Sequence, residues 1–337
     1  MNATLKIGSL ELKNRLLTAP IAGYSDRAWR ELCRAHGAAL CYGEMISAQA
    51  LCYNNHKTLD LLDITDEEEI RAVQLSGSSA QYMAQGAQIA AERGAQLIDL
   101  NMGCPAPKIF KNGEGCAHMA DIKRAEGVIR AVTAAVSLPV TVKFRLGINE
   151  QSRNYLEFAQ MAEAAGAAAV CLHGRYREQF YGGAANWQAI AQVKQAVNIP
   201  VIGNGDIFCA ADAATMLRQT GCDFVMAARG LMGNPWLIEE ILAAFNGLPL
   251  PQRPAQEEII ATALAHLKRK VQLSVNCRLK EGLDKKTAQK EGEHYAVVAM
   301  RSLMCCYLKG MRHAASARRE LMLLSDYQQI ADFLYGL

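Results

Sequence analysis

Short apolar runs alternate with longer Ala-rich segments through the first 245 residues of the chain. Continuous runs of Val, Ile and Leu predict strands buried on both faces, whereas apolar residues spaced three or four apart predict amphipathic helices. The predicted strands span 16–20, 39–45, 72–76, 97–101, 140–145, 169–173, 201–204 and 224–228. The predicted helices span 26–36, 48–55, 79–93, 121–136, 152–165, 186–196, 209–219 and 235–245.

Eight strand–helix units in succession predict an α/β fold, a (β/α)8 TIM barrel. A doubly wound sheet is the alternative, although such sheets usually have fewer strands. Asp26, Ser79 and Asp121 stand where N-caps are expected. Residues 5–15 predict a short strand pair that turns at Gly8 and Ser9.

The pattern changes after residue 245. A Pro-rich segment at 246–254 predicts a linker, and no strand-like run follows it. Residues 255–275, 293–310 and 313–334 predict amphipathic helices with one basic face. The predicted organisation is a catalytic barrel domain at 1–245, the linker at 246–254 and an all-helical domain at 255–337.

Composition and charge narrow the class of protein. The 337 residues are 51% hydrophobic and 20% charged, which is typical of a globular protein with a large core. Residues 251–337 contain 14 Lys and Arg against 9 Asp and Glu, whereas residues 1–250 contain 22 against 24. A basic C-terminal part is compatible with a polyanionic partner.

The eleven cysteines are odd in number, scattered and without any C-x-x-C pair. This distribution does not predict a disulfide scaffold or a zinc or iron–sulfur site, and it is typical of a reducing compartment. The first residues do not resemble a signal peptide, and no run of about 18 apolar residues occurs. We therefore expect a cytoplasmic protein that does not enter a membrane.

Polar residues gather at the ends of the predicted strands, which is the face where TIM-barrel active sites lie. In chain order, the candidates are Pro20, Ile21, Ala22, Glu44, Gln74, Asn101, Cys104, Lys143, Arg145, His173, Arg175, Asn204, Gly205, Asp206, Ala228 and Arg229. No zinc-type grouping of His and carboxylates occurs among them, so metal catalysis is not predicted.

Cys104 is the penultimate residue of the segment Leu-Ile-Asp-Leu-Asn-Met-Gly-Cys-Pro at 97–105, in which a buried strand passes abruptly into a rigid loop. Pro105 favours an extended Cys104, and Gly103 allows another group to come close. Two interpretations remain open at this point. Cys104 is either a reactive thiol presented at the end of a strand or an inert cysteine packed there.

Three further candidates suit a phosphorylated, aromatic cofactor. Gly-rich backbone after the seventh and eighth strands, together with Arg229, suits a phosphate, and a salt bridge at the barrel rim is the alternative role for Arg229. The amides of Gln74 and Asn101 both donate and accept hydrogen bonds, which fits the edge of a heteroaromatic ring.

Lys143 is predicted to point into the barrel, where an unpaired ammonium is costly. An electron-rich cofactor ring or a carboxylate would satisfy it, and a structural ion pair with Asp99 or Glu44 is the alternative. Together these residues predict a flavin mononucleotide (FMN) enzyme. No G-x-G-x-x-G follows a strand, so a separate nicotinamide-binding domain is not predicted.

Seven segments spread over nearly the whole chain carry a family resemblance. They are Ala-Pro-Ile-Ala-Gly at 19–23, Val-Gln-Leu-Ser at 73–76, Asp-Leu-Asn-Met-Gly-Cys-Pro at 99–105, Val-Lys-Phe-Arg at 142–145, Leu-His-Gly-Arg at 172–175, Pro-Val-Ile-Gly-Asn-Gly-Asp at 200–206 and Tyr-Leu-Lys-Gly at 307–310. In these segments the chain resembles the bacterial tRNA-dihydrouridine synthase family.

The resemblance implies a barrel that holds FMN, a helical domain that binds tRNA, and reduction of the uracil C5=C6 bond with NADPH or NADH. By position, the flavin contacts would be Pro20, Ile21, Ala22, Gln74, Lys143, His173, Asn204, Gly205, Asp206, Ala228 and Arg229. The substrate contacts would be Asn101, Arg175, Arg301 and Lys309, and Cys104 would be the proton donor. We expect a monomer. The alternatives are the same chemistry on ribosomal RNA, or reduction of a free pyrimidine or enone.

The chain departs from the family pattern at three places. Ala228 stands where the family usually has Gly, and Cys116 stands where Ser is common, in a loop at 106–119 that is expected to close over the substrate. Residues 301–306 lack the Lys-His pair and the Trp that the family often has in this stretch, so some RNA contacts are expected to differ.

Overall fold

Eight parallel strands close into a barrel in this computed structural model, which describes residues 5–62, 64 and 70–337. A two-stranded antiparallel hairpin of β1 (Lys6–Ile7) and β2 (Leu10–Glu11) precedes the barrel. The barrel strands are β3 (Leu16–Thr18), β4 (Leu40–Ser47), β5 (Ala72–Ser76), β6 (Leu97–Met102), β7 (Val140–Phe144), β8 (Ala169–His173), β9 (Val201–Asn204) and β10 (Phe224–Ala227). Each strand pairs with the next and β10 pairs with β3, which confirms the predicted TIM barrel.

Helices surround the barrel strands. They are α1 (Arg27–Ala35), α2 (Ala48–Cys52), α3 (His56–Leu61), α4 (Ala80–Glu92), α5 (Pro107–Lys111), α6 (Ile122–Ala135), α7 (Tyr155–Ala164), α8 (Trp187–Ala196), α9 (Ala210–Thr220) and α10 (Leu237–Phe245). The side chains of Asp26, Ser79 and Asp121 accept hydrogen bonds from the first turns of α1, α4 and α6, as predicted.

The prediction of one helix at 48–55 was wrong. Asn54 adopts a φ of 53°, which interrupts the helix, and the Asn55 side chain then accepts from the Thr58 N–H to begin α3. The short helix α5 and the 3-10 helix Gly115–Ala120 were also not predicted, because neither is long enough to show a periodic apolar pattern.

Four helices follow the linker: α11 (Gln256–Lys280), α12 (Lys285–Tyr307), α13 (Ala314–Leu321) and α14 (Tyr327–Tyr335). The prediction of three helices was therefore wrong in number. Helix α12 begins eight residues before the predicted start at 293 because Asp284 caps the N–H groups of Lys286 and Thr287. Asp326 starts α14 in the same way, by accepting from the Gln329 N–H. Among the described helices, none combines the length and apolar character required to cross a bilayer.

The interior of the barrel is apolar at its amino-terminal end and polar at its carboxyl-terminal end. Leu17, Tyr42, Ile202 and Met226 belong to the apolar cluster, against which Ile7 of the hairpin also packs. A second, larger apolar cluster lies between the strands and the surrounding helices. The buried polar side chains of Gln74, His173 and Asn204 lie toward the carboxyl-terminal end of the strands, where the cavity described below opens.

The C-terminal helices pack against the barrel next to its carboxyl-terminal end. Arg269 on α11 donates to both carboxylate oxygens of Glu31 on α1, at 2.6 and 2.8 Å. Gly233, after β10, adopts a φ of 67°, and a Cβ added there would lie 2.4 Å from backbone atoms of Cys306 and Tyr307 at the end of α12. These contacts fix the helical part beside the mouth of the barrel, although the division into domains at 245 and 255 stays a prediction.

Candidate active site

A cavity of about 420 Å³ opens at the carboxyl-terminal ends of the barrel strands. Most of the predicted site residues line it: Pro20, Ile21, Ala22, Gln74, Asn101, Cys104, Lys143, His173, Asn204, Gly205, Asp206, Ala228 and Arg229. Three predicted substrate contacts, Arg175, Arg301 and Lys309, do not line it. The volume lies within the range of about 300–1,000 Å³ that is usual for small-molecule sites.

Two side-chain amides connect a buried carboxylate to the loop that follows β6 and contains Gly103 and Cys104, which we call the Cys104 loop. Gln74 Nε2 donates to Asp99 Oδ2 at 2.6 Å, and Asn101 Nδ2 donates to Gln74 Oε1 at 2.8 Å. Asn101 Oδ1 then accepts from the backbone N–H groups of Cys104 at 2.9 Å and Gly103 at 3.3 Å. We call this series of hydrogen bonds the amide relay. The strand register makes it possible, since Gln74 on β5 lies opposite Asp99 on β6.

Asp99 is 1% exposed, and its second carboxylate oxygen accepts from Thr141 Oγ1 at 2.6 Å. Burial raises the pKa of Asp99 to about 6, although the hydrogen bonds from Thr141 and Gln74 act in the opposite direction. Asp99 is therefore ionised at pH 8 and protonated in mild acid.

Cys104 lies on the cavity wall, whereas the nearby Cys116 is fully buried. The Cys116 N–H donates to the Cys104 carbonyl at 3.0 Å, so the 3-10 helix packs directly behind the Cys104 backbone. Burial raises the pKa of the Cys104 thiol, and the positive charges of Arg145 and Lys143 partly offset that effect. The thiol is therefore protonated at neutral pH and faces the cavity.

Lys143 donates from Nζ to Asn204 Oδ1 at 2.9 Å, and Asn204 Nδ2 donates to the Met226 carbonyl at 2.8 Å. The alternative of a structural ion pair with Asp99 or Glu44 was wrong. Glu44 instead accepts from the Gly23 N–H at 2.6 Å. Within the described residues, a neutral amide is thus the hydrogen-bond partner of this ammonium group, and its charge is available to a ligand.

Four cationic side chains surround a buried histidine. The pKa of His173 lies well below its ordinary value because of burial and because of the nearby charges of Arg145, Lys143, Arg175 and Arg229. The imidazole is therefore neutral at pH 7, and this side of the cavity carries a positive potential. Such a potential favours an anionic ligand.

Arg229 forms the rim salt bridge that was the alternative to a phosphate contact. Its Nη2 lies 3.2 Å from Asp206 Oδ1, and its guanidinium lies 4.7 Å from the ring centre of Tyr181 and 5.3 Å from that of Phe208. Both rings are about half exposed and line the cavity. Neither was predicted as a site residue, because an isolated aromatic residue in a loop gives no periodic signal.

Arg145 was among the polar strand ends, but its role follows only from the structure. Its Nε donates to the Gly103 carbonyl at 3.0 Å, and Nη1 donates to the carbonyls of Tyr176 at 3.0 Å and Phe180 at 2.8 Å. Arg145 thereby joins the Cys104 loop to the loop after β8.

The structure places the remaining predicted substrate contacts away from the cavity. Arg175 is 2% exposed, and its Nη2 donates to Asp206 Oδ2 at 2.7 Å, so it supports the wall from behind. Arg301 Nε donates to the Leu324 carbonyl at 2.9 Å. Lys309 is exposed just after α12. Contact of these three with a substrate stays a prediction, and it has geometric support only for the exposed Lys309.

The groups that line the cavity have the chemistry that FMN requires. Amides and a lysine line its interior, and an arginine stands at its rim. Gly205 adopts a φ of 126°, and a Cβ there would lie 2.7 Å from Ala185 and 3.0 Å from the His173 ring. The wall at this point therefore accepts only glycine.

The chain matches the family model "Dihydrouridine synthase (Dus)" over residues 17–334. It is 41% identical over 264 residues to tRNA-dihydrouridine synthase B of Vibrio vulnificus, covering 78% of this chain and 82% of that protein. It is 38% identical over 332 residues to the probable tRNA-dihydrouridine synthase 1 of Synechocystis sp., covering 98% of this chain and 88% of that protein.

Solved structures show the same fold at low sequence identity. Histamine dehydrogenase from Rhizobium sp. 4-9 matches with a TM-score of 0.57 and 14% identity over 79% of this chain and 50% of that chain. The 6-hydroxypseudooxynicotine amine oxidase of Pseudomonas geniculata N1 matches with a TM-score of 0.56 and 14% identity over 72% of this chain and 49% of that chain. At this identity the likeness concerns the fold alone.

Proposed function

The chain belongs to the dihydrouridine synthase family, and on that premise we propose that it reduces the C5=C6 bond of specific uridines in tRNA to 5,6-dihydrouridine. Cys104 is the proposed proton donor. The observation that supports this assignment is the position of a protonated thiol on the wall of a cavity that fits FMN.

FMN, when bound, supplies the hydride that uracil C6 receives, and NADPH or NADH is the proposed source of its electrons. The residues proposed to hold FMN are Pro20, Ile21, Ala22, Gln74, Lys143, His173, Asn204, Gly205, Asp206, Ala228 and Arg229. Among them, Lys143 and Gln74 offer donors to a polar ring edge, and Arg229 offers a cation to a phosphate.

Cys104 completes the reduction at the other carbon of the double bond. A hydride at C6 leaves negative charge on C5 and the adjoining carbonyl, and C5 must then gain a proton. The Cys104 thiol gives its proton to C5 and becomes a thiolate, which Arg145 and Lys143 stabilise by their positive charges. The thiolate then recovers a proton from solvent.

A uridine within a folded tRNA must leave its stack to reach a cavity at the end of a barrel. The exposed rings of Tyr181 and Phe208 at the rim offer stacking surfaces on the way. The basic C-terminal helices are proposed to contact phosphates, which position the RNA without specifying its sequence. The proposed setting is the cytoplasm, in keeping with eleven cysteines that form no disulfide. The proposed active species is a monomer.

The test uses the full chain with FMN, NADPH and a tRNA transcript, and nucleoside mass spectrometry measures the dihydrouridine formed. Cys104→Ala is expected to lower the rate by about 100-fold or more, the usual contribution of a positioned acid. Cys116→Ala is the matched control, because this neighbouring thiol is buried away from the cavity. Free uridine is expected to remain unreduced under the same conditions. Absence of dihydrouridine from tRNA with the wild-type chain would contradict the proposed function.

A further inference from the structure

Asp99 has no part in the proposed chemistry, yet it is buried as an acceptor between two donors. Its carboxylate is 1% exposed, with Gln74 on one oxygen and Thr141 on the other. A buried carboxylate is costly even when it accepts hydrogen bonds. Packing alone does not explain why a carboxylate is present at this buried position.

The carboxylate sets the direction of the amide relay at one end, and the backbone N–H groups of Gly103 and Cys104 set it at the other. An ionised carboxylate only accepts, so Gln74 must turn its Nε2 toward Asp99 and its Oε1 toward Asn101. Asn101 must then turn its Nδ2 toward Gln74, which leaves its Oδ1 for the N–H groups of Gly103 and Cys104. Neither amide could fix this direction alone, because rotation of an amide group by 180° exchanges its donor and its acceptor.

We propose that Asp99 is a positioning residue, which acts through Gln74 and Asn101 to hold the Cys104 loop in the geometry required for proton transfer. This inference rests on the proposed function of Cys104. It assigns to Asp99 no contact with substrate or cofactor.

Asp99→Asn keeps the size of the side chain but removes the constraint on direction at one end of the amide relay. The new amide group can donate to Gln74 Oε1, so that Gln74 Nε2 faces Asn101 Oδ1. Asn101 would then turn a donor toward the N–H groups of Gly103 and Cys104, and both would lose their acceptor. The loop that carries the thiol would be released from β6.

Thr141→Val supplies the matched control. Thr141 is fully buried and donates to the other oxygen of Asp99, so its replacement also disturbs the carboxylate. It does not belong to the amide relay, and the two variants are compared at pH 8, since loss of the Thr141 hydrogen bond raises the pKa of Asp99 further. A purely structural role for Asp99 would make the two variants behave alike.

The experiment measures two quantities on the full chain loaded with FMN. Hydrogen exchange with mass spectrometry reports the protection of the peptide that contains Gly103 and Cys104, and nucleoside analysis reports dihydrouridine formation in tRNA. Asp99→Asn is expected to speed exchange of that peptide by about tenfold and to slow turnover by about tenfold or more. Thr141→Val is expected to stay within about twofold of wild type in both.

A second experiment uses the wild-type chain and changes only the pH. Protonation of Asp99 near pH 6 gives the carboxyl group a donor, so protection of Gly103 and Cys104, corrected for intrinsic exchange, is expected to fall between pH 8 and pH 5. The other titratable groups that face Asp99 are Tyr42 on β4, Lys143 on β7 and Cys171 on β8. Burial raises the pKa of Tyr42 and Cys171, so both keep their protons in this range.

Two results would overturn the inference: equal protection and turnover in Asp99→Asn and wild type, or equal losses in Asp99→Asn and Thr141→Val. Failure of the wild-type chain to form dihydrouridine would instead refute the proposed function. The exchange comparison would still test the amide relay in that case, because it does not depend on turnover.

Discussion

At the scale of single residues, the buried carboxylate of Asp99 is expected to lower the stability of the fold while it supports the proposed activity. Its pKa is raised from 3.8 to about 6 by burial, so the folded chain binds this proton more tightly than the unfolded chain does. For an acid shifted in this direction, stability decreases as pH rises from about 4 to 6. A shift of this size corresponds to about 3 kcal/mol of destabilisation above pH 6.

Asp99→Asn is therefore expected to raise the free energy of unfolding at pH 8, by about 1–3 kcal/mol. The advantage is expected to shrink as pH falls toward 4, where Asp99 of the wild type is protonated. Urea denaturation of the full chain without added FMN, at pH 8 and pH 4.5, measures the difference in free energy of unfolding between variant and wild type at each pH. Thr141→Val is expected to lower stability at pH 8, since it leaves a carboxylate oxygen without its donor. A clear loss of stability in Asp99→Asn at pH 8 would contradict this account.

Most of the polar residues that line the cavity were predictable from the sequence, but their hydrogen-bond partners were not. Gln74, Asn101, Cys104 and Lys143 were expected at strand ends, because polar residues interrupt apolar runs there. The partner of Lys143 was not expected to be Asn204, since no rule of spacing relates two residues 61 positions apart. Hydrogen-bond direction likewise depends on strand register, which the sequence pattern does not determine.

At the scale of secondary-structure elements, strands were easier to predict than short helices. Each barrel strand is buried on both faces and gives a continuous apolar run, whose position the sequence shows directly. Helix α12 was predicted to begin too late, because its first turns are mostly polar and few of their side chains are buried. Its start depends on the Asp284 cap, a local signal that the apolar pattern does not include.

The contact between Gly233 and the end of α12 gives a prediction at this scale. Gly233→Ala places a Cβ 2.4 Å from backbone atoms of Cys306 and Tyr307, so the loop or the helix must move. Gly247→Ala is the matched control, because Gly247 has a φ of 65° but no neighbouring atom within 4 Å. Thermal and urea unfolding are expected to show Gly233→Ala less stable than the control by about 2 kcal/mol. Equal stability of the two variants would show that the close approach does not constrain the fold.

At the scale of the whole molecule, the barrel and the helical part were both predictable, but their contact was not. Arg269 and Glu31 are 238 positions apart, and their bidentate ion pair depends on the orientation of two complete helices. The Tyr24 hydroxyl, on the cavity wall, also lies 2.8 Å from the Ser302 hydroxyl on α12. Helix α12 thus borders the cavity, which is where a bound tRNA would have to pass.

Lys309 follows α12 on this side of the molecule and is exposed. Lys309→Ala is expected to weaken tRNA binding and to reduce by about 1 the slope of log affinity against log salt concentration, as for loss of one phosphate contact. Filter binding of tRNA at several salt concentrations measures both effects. Lys6→Ala removes an exposed lysine from the hairpin at the opposite end of the barrel, and binding is expected to be unchanged. Equal salt slopes in Lys309→Ala and wild type would remove Lys309 from the RNA contacts.

The most direct test of the central claim follows flavin absorbance after tRNA is added, without oxygen, to the full chain pre-reduced with NADPH. The wild type and Cys116→Ala are expected to be reoxidised at similar rates, and Cys104→Ala about 100-fold more slowly. Reoxidation of Cys104→Ala at the wild-type rate would contradict the assignment of its thiol as the proton donor.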